Sequence, residues 1–142
     1  MKKTEVSIIP YDSSLFPEVF ALYQDAGWTN YTQSRGMLEN AYKNSLRILC
    51  AYCGASLAGV VRAVGDGCSI LYVQDLLVHS SFQNRGVGSR LLEALLSEYP
   101  DVYQTILLAD GSESLARFYQ KHGLKPVGAH GCVAYFKHKR PD

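Results

Sequence analysis

The chain carries no surplus of charge: 14 Lys and Arg stand against 13 Asp and Glu over 142 residues, for a formal net charge of +1. A nucleic-acid-binding protein would show a strong basic excess or a basic stripe, so that class is not expected. The terminal "FKHKR" reads as a solvated end. Long apolar runs are missing too, and none approaches the ~20 residues that span a bilayer. The opening "MKKTEVSIIP" lacks the roughly seven or more apolar residues of a secretory core, and a cytoplasmic protein is expected. Cysteine is sparse at four residues, Cys50, Cys53, Cys68 and Cys132. Cys50 and Cys53 form C-x-x-C, but on a strand residues three apart point to opposite faces. No second pair at zinc spacing follows, so reduced thiols and no metal site are expected. Repeats, low-complexity tracts and linkers are also absent, and one domain over residues 1–142 is the expectation.

What is present reads as alternating elements. "EVSII" is a strand stopped by Pro10. Ser13 or Ser14 can cap a helix through "LFPEVFALYQDA", with Leu15, Val19, Leu22 and Tyr23 on one face and Gly27 at its end. "WTNYT" is a loop, and a weaker helix covers roughly residues 32–44 with Met37, Leu38 and Ala41 inward. "LRILCAY" and "LAGVVRAV" form a hairpin about "CGAS". "SILYVQDLLV" is apolar enough for a central strand buried on both faces, apart from Gln74 and Asp75, which alternation sends to opposite faces. A helix over 86–98, a strand over 103–109, a helix over 112–122 and short strands near 125–128 and 132–137 complete the chain. The class is α/β: a mixed central sheet flanked by helices, in the order β-α-α-β-β-β-α-β-α-β-β.

The informative stretch is "SFQNRGVGSRLLEALL". Glycine weakens a helix, yet Gly86 and Gly88 fall where one begins, ahead of a stripe of Val87, Leu91, Leu92, Leu95 and Leu96. A helix start leaves N–H groups without partners at the positive end of its dipole. Without a Cβ in the way, a phosphate can rest on those amides, with Arg85 and Arg90 nearby. The P-loop pattern is absent, since no lysine lies in the turn. The dinucleotide fingerprint needs glycine where Leu91 stands. Glycines that merely allow close helix–sheet packing are the plainer alternative.

The string Gln83-Asn84-Arg85-Gly86-Val87-Gly88 has the form Q-x-x-G-x-G. With "VQDLLV" before it and "SESLARFYQKHGLKPV" after it, it resembles the coenzyme A loop of the GNAT superfamily of N-acetyltransferases. The second segment is similar to the family's N-x-x-A-x-x-F-Y-x-K-x-G-F signature. Two positions depart from it: Ser112 replaces the asparagine, and Leu115 the later alanine.

The resemblance implies an acetyl-CoA-dependent N-acetyltransferase with the GNAT fold. It implies that the backbone of Leu76, Leu77 and Val78 holds the pantetheine arm, and that Gln83, Asn84, Arg85, Gly86, Val87, Gly88 and Ser89 hold the pyrophosphate. Ser112 would cap its helix or bond the arm. Tyr119 would be the general acid at the thioester sulfur, and an amide near Leu77 or Val78 would steady the oxyanion. An amine must lose a proton before it attacks, and Asp75 is the candidate base, with His79 as a substitute. The alternative for Asp75 is to position a loop or a partner side chain. Trp28 and Tyr31, with Arg35, are candidates for the acceptor side, although Trp28 could simply pack the helix onto the sheet. The acceptor would be a primary amine of a small molecule or peptide. No acidic cluster marks a polyamine site. The rival function is a non-catalytic acyl-CoA-binding module. "YFKHK" could serve as a homodimer edge.

Overall fold

A computed structural model describes residues 5–139, in two compact units that divide between Leu108 and Ala109. The first unit is built on a five-stranded sheet. Its strands are β1 (Ser7–Pro10), β2 (Arg47–Cys53), β3 (Ser56–Val64), β4 (Ile70–Val78) and β5 (Gln104–Leu107), adjacent in chain order. The first four run antiparallel and β5 lies parallel to β4. Pro10 ends β1 from within, opposite Leu49, where an edge strand tolerates a residue with no N–H.

Helix α1 (Phe16–Ala26) has no serine cap. Ser13–Leu15 form a 3-10 turn instead, and the Ser14 hydroxyl donates to the Asp12 carboxylate at 2.6 Å. Pro17 in the first turn removes a donor that would otherwise lack an acceptor. Gly27, at φ 73°, closes the helix in the left-handed conformation. "WTNYT" is not a plain loop, because Thr29–Thr32 close one helical turn, α2. α3 spans Arg35–Lys43 and begins later than its periodicity predicts. Leu38 and Tyr42 are buried there, whereas Met37 faces outward.

α4 (Val87–Ser97) buries Val87, Leu91, Leu92 and Leu95, with Leu96 half-buried, and packs on β2, β3 and β4. Close packing does rest on a glycine, but on Gly59 of β3. A Cβ there would lie 2.8 Å from the Leu77 carbonyl oxygen and 3.0 Å from Leu91 Cδ1. Gly59→Ala is therefore expected to cost about 1–3 kcal/mol in urea unfolding, through overpacking against a backbone atom that cannot yield.

The second unit contains α5 (Glu113–Lys121) and a 3-10 turn at Val127–His130. The two short strands expected near 125–128 and 132–137 are not formed. Pro126 opens the turn, Gly131 closes it at φ 72°, and Cys132 N–H is used locally on the Val127 carbonyl. Residues 132–139 have no regular structure, so no strand is present there to act as a dimer edge. Arg140 of the basic tail lies outside the described residues.

Candidate active site

Two features of β4 set the site. Its register with β3 shifts between Arg62, opposite Asp75, and Ala63, opposite Val73, so Gln74 is an extra residue. Such a bulge breaks strict alternation. The expectation that Gln74 and Asp75 point to opposite faces fails for this reason: both line one pocket, together with Tyr72. The second feature is an open edge. β5 pairs with β4 only over Ile70–Val73. Beyond that, His79 N–H donates to the Ala58 carbonyl at 2.7 Å, and Gly59 lies opposite Val78. Antiparallel alternation then turns the main-chain groups of Leu77 toward β3 and those of Leu76 and Val78 toward the side that β5 vacates.

The glycine turn leads from this edge into α4. His79 is bound into the turn: its Nδ1 accepts from Ser81 N–H at 3.0 Å, and its Nε2 lies 3.4 Å from Asp25 Oδ1. Asp25 also accepts from the backbone and hydroxyl of Ser80, and these bonds hold its carboxyl below the ordinary range. Asn84 and Gly86 have φ of 63° and 80°. Gly86 is the N-cap of α4, no side chain caps the helix, and a Cβ at Gly86 would meet nothing within 4 Å. The space beside Gly86 is therefore open. Gln83 reaches back, its amide nitrogen 3.4 Å from the Val78 carbonyl oxygen. Arg85 lies over the Phe82 ring, and Arg90 donates to the Val6 carbonyl at 3.1 Å.

Beside β4 is an open pocket of about 330 Å³, lined by Trp28, Asn30, Tyr31, Tyr72, Gln74, Asp75 and Leu108. Trp28 stacks with Tyr31 at 6.1 Å and meets Tyr23 edge-on at 5.8 Å. Arg35 is elsewhere, its guanidinium over the Phe16 and Phe20 rings. At the pocket floor Asp75 is 2% exposed. Its Oδ2 accepts from Arg62 Nε and Tyr23 at 2.8 Å each, and its Oδ1 accepts from Tyr31 at 3.0 Å. Tyr42 shares a hydrogen bond with Tyr23 at 2.9 Å, and Gln74 donates to Tyr31 at 3.1 Å.

Burial, with Asp75 adding to it, pushes the Tyr23 and Tyr31 phenols above their ordinary range. For Tyr42 burial, helped by the nearby Asp75 charge, prevails over the Tyr23 hydrogen bond and the Arg62 charge and raises the phenol too. Burial pulls Arg62 down, but the charge and hydrogen bond of Asp75 outweigh it and keep the guanidinium charged. Asp75 is thus an occupied carboxylate at the centre of a satisfied network. Asp75→Ala would strand the Arg62 charge in the interior, and a loss of about 3–5 kcal/mol in urea unfolding is expected.

Arg62 and Tyr42 have no place in the sequence reading, and Tyr23 enters it only as a residue on the packed face of α1. A signal existed: "LAGVVRAV" carries a lone arginine in an apolar strand, and the next strand a lone aspartate. Each is costly alone, so each calls for the other. Cys50 of the C-x-x-C pair is buried, which pushes its thiol up to about 12, while Cys53 is half-buried.

In the second unit, Ser112 caps α5, its hydroxyl accepting from Leu115 N–H at 3.3 Å. Tyr119 is half-buried and meets the Phe118 ring edge-on at 5.1 Å. Burial raises its phenol above 10.0, so it carries its proton at neutral pH. His122 ends the helix against Phe118.

The site thus combines a mixed sheet whose fourth strand parts from its neighbour with a glycine turn into a helix N-terminus. Residues 17–140 match the family model described as an acetyltransferase (GNAT) domain, and the chain belongs to that family. It is similar to a GNAT family acetyltransferase from Streptococcus pneumoniae, with 34% identity over 96% of this chain and 100% of the other, at a TM-score of 0.86. A Staphylococcus aureus protein described as a probable acetyltransferase shares 25% identity over 94% of this chain and 100% of its own, at 0.77. The fold also matches AAC(6')-Iy, solved with the bisubstrate analogue CoA-S-monomethyl-acetylneamine, at 16% identity over 96% and 99% of the two chains and a TM-score of 0.72. No match was found among curated proteins. Among the described residues no helix is long and apolar enough to cross a membrane.

Proposed function

We propose that the protein moves an acetyl group from acetyl-CoA to a primary amine by direct attack in a ternary complex. The observation that carries this is the α4 N-terminus: an uncapped helix start behind a left-handed Gly86 with open space where a side chain would stand. These residues fit a pyrophosphate, held by the amides from Arg85 to Ser89 beside Gln83 and Asn84. Leu76 and Val78 offer their main-chain groups to the amides of a pantetheine arm, with Leu77 between them bound to β3.

Acetyl-CoA supplies an acetyl group already activated as a thioester. The chain's own part is to orient and to manage protons. Tyr119 holds the proton that a departing thiolate needs. Trp28 and Tyr31 wall the acceptor side. Asp75 fixes Tyr31 at the pocket floor and keeps Arg62 neutralised; with both oxygens bound, we read it as a positioning residue rather than the free base that its place on the strand suggests. An acyl-enzyme on Cys50 is disfavoured, because that thiol is buried and raised far above the range in which it would ionise.

Calorimetric titration with acetyl-CoA, against ATP and Mg²⁺ as control, tests the reading. Binding of acetyl-CoA alone is expected. No heat with acetyl-CoA would sink the cofactor assignment, and binding without thiol release across a panel of amines would favour an acyl-CoA-binding module.

A further inference from the structure

The pocket beside β4 has a composition that restricts its amine. Trp28, Tyr31, Tyr72 and Leu108 give it aromatic and apolar walls, and Asn30 and Gln74 bring neutral amides. Its one carboxylate belongs to Asp75, and that charge is already met by Arg62 at 2.8 Å and by two tyrosine hydroxyls. Among the described lining residues, no uncompensated negative charge faces the cavity.

We propose that the acceptor is a monoamine on an aromatic or apolar body, of the arylalkylamine class, and that the pocket discriminates against polycationic aminosugars. This rests on the acetyltransferase reading and deepens it. A single amino group can bond to the side-chain carbonyls of Asn30 and Gln74 while its body lies against the rings. Each further ammonium of a polycation would lose water and find no anion. The same neutral lining favours the uncharged amine over its ammonium, since desolvation opposes the charged form. The amine that enters uncharged leaves one proton in the solvent. The proton its nitrogen sheds to solvent on attack balances the one Tyr119 gives the departing thiolate and then regains, so Asp75 need not leave its partners.

Trp28 is the single tryptophan of the chain and lines the pocket, so its fluorescence reports occupancy without any turnover. The full chain with coenzyme A present would be titrated with 2-phenylethylamine and, separately, with neamine. We expect 2-phenylethylamine to change the emission saturably at a concentration about ten-fold or more below neamine, a difference of about 1.4 kcal/mol or more. Thiol release with acetyl-CoA should favour it by a similar ratio in kcat/KM. Equal or tighter neamine binding, or no emission change with either amine, would overturn the proposal.

Gln74→Glu supplies the missing uncompensated carboxylate at an exposed position. It should tighten neamine binding about two- to five-fold at low salt, a gain that high salt removes. No gain at low salt would defeat the charge argument. Acetyl-CoA binding, read separately by calorimetry, tells a failure of the acetyltransferase reading from a failure of this one.

Discussion

Tyr119→Phe is expected to lower acetyl transfer by about 10²-fold, with coenzyme A affinity nearly intact. The substitution removes one hydroxyl and keeps the ring that packs edge-on against Phe118, so the fold should not register it. A positioned general acid contributes typically 10²–10⁴-fold. Steady-state rates by thiol release, with calorimetry for coenzyme A, separate the two quantities. A rate within about three-fold of the parent chain's would remove Tyr119 from the acid role.

The pH profile provides a second check on the same residue. Burial holds the phenol above 10.0. A general acid works only while protonated, so Tyr119 should stay competent up to pH 10.0 and fail only at higher pH, once its raised pKa is passed. The kcat profile should show no falling limb attributable to Tyr119 between neutral pH and 10.0. A falling limb that appears below 10.0 and vanishes in Tyr119→Phe would contradict the upward shift.

Gly86→Val is expected to abolish acetyl-CoA binding within the calorimetric range, a loss of at least about 10²-fold, or about 2.7 kcal/mol. Two costs act together. At φ 80° a β-branched residue is strained by on the order of 1–3 kcal/mol, which pulls the turn away from its native shape. Any side chain also enters the open space beside Gly86, where the proposed pyrophosphate would lie. Gly86→Asn distinguishes the two, because asparagine tolerates the left-handed conformation yet still fills that space. Weak binding in both variants, with unchanged melting temperatures, would mean that the space belongs to the ligand. Micromolar affinity retained in Gly86→Val would defeat the anion-site assignment.

How much of this was legible beforehand depends on the range of the forces involved. Local patterns carried the helices and most strands. The apolar stripe of α4 and the glycine that ends α1 are set by residues within one or two turns, and the structure places both where the pattern does. The glycine turn was legible for the same reason: six consecutive residues express it, and Gly86 takes the left-handed conformation at the start of α4. The "WTNYT" segment went unrecognised as a helical turn because four residues give no periodicity to read. The last two expected strands failed because a strand is completed by a partner, and apolar alternation near 132–137 does not say whether one is in reach.

Asp75 shows the limit most clearly. From the sequence it is a carboxylate on a motif strand, equally suited to take a proton or to hold a neighbour. Its surroundings come from Tyr23 on α1, Tyr31 on α2 and Arg62 on β3, residues separated from it by 52, 44 and 13 positions. The sequence by itself determined the sheet-and-helix order, the glycine turn and the family, because those rest on local backbone preference and short spacing. The tertiary structure alone decided that Asp75 is bound rather than free, that a bulge brings Gln74 and Asp75 to one pocket, and that Leu77 turns away from the open edge. Each of these depends on register and burial, which arise only when distant segments meet.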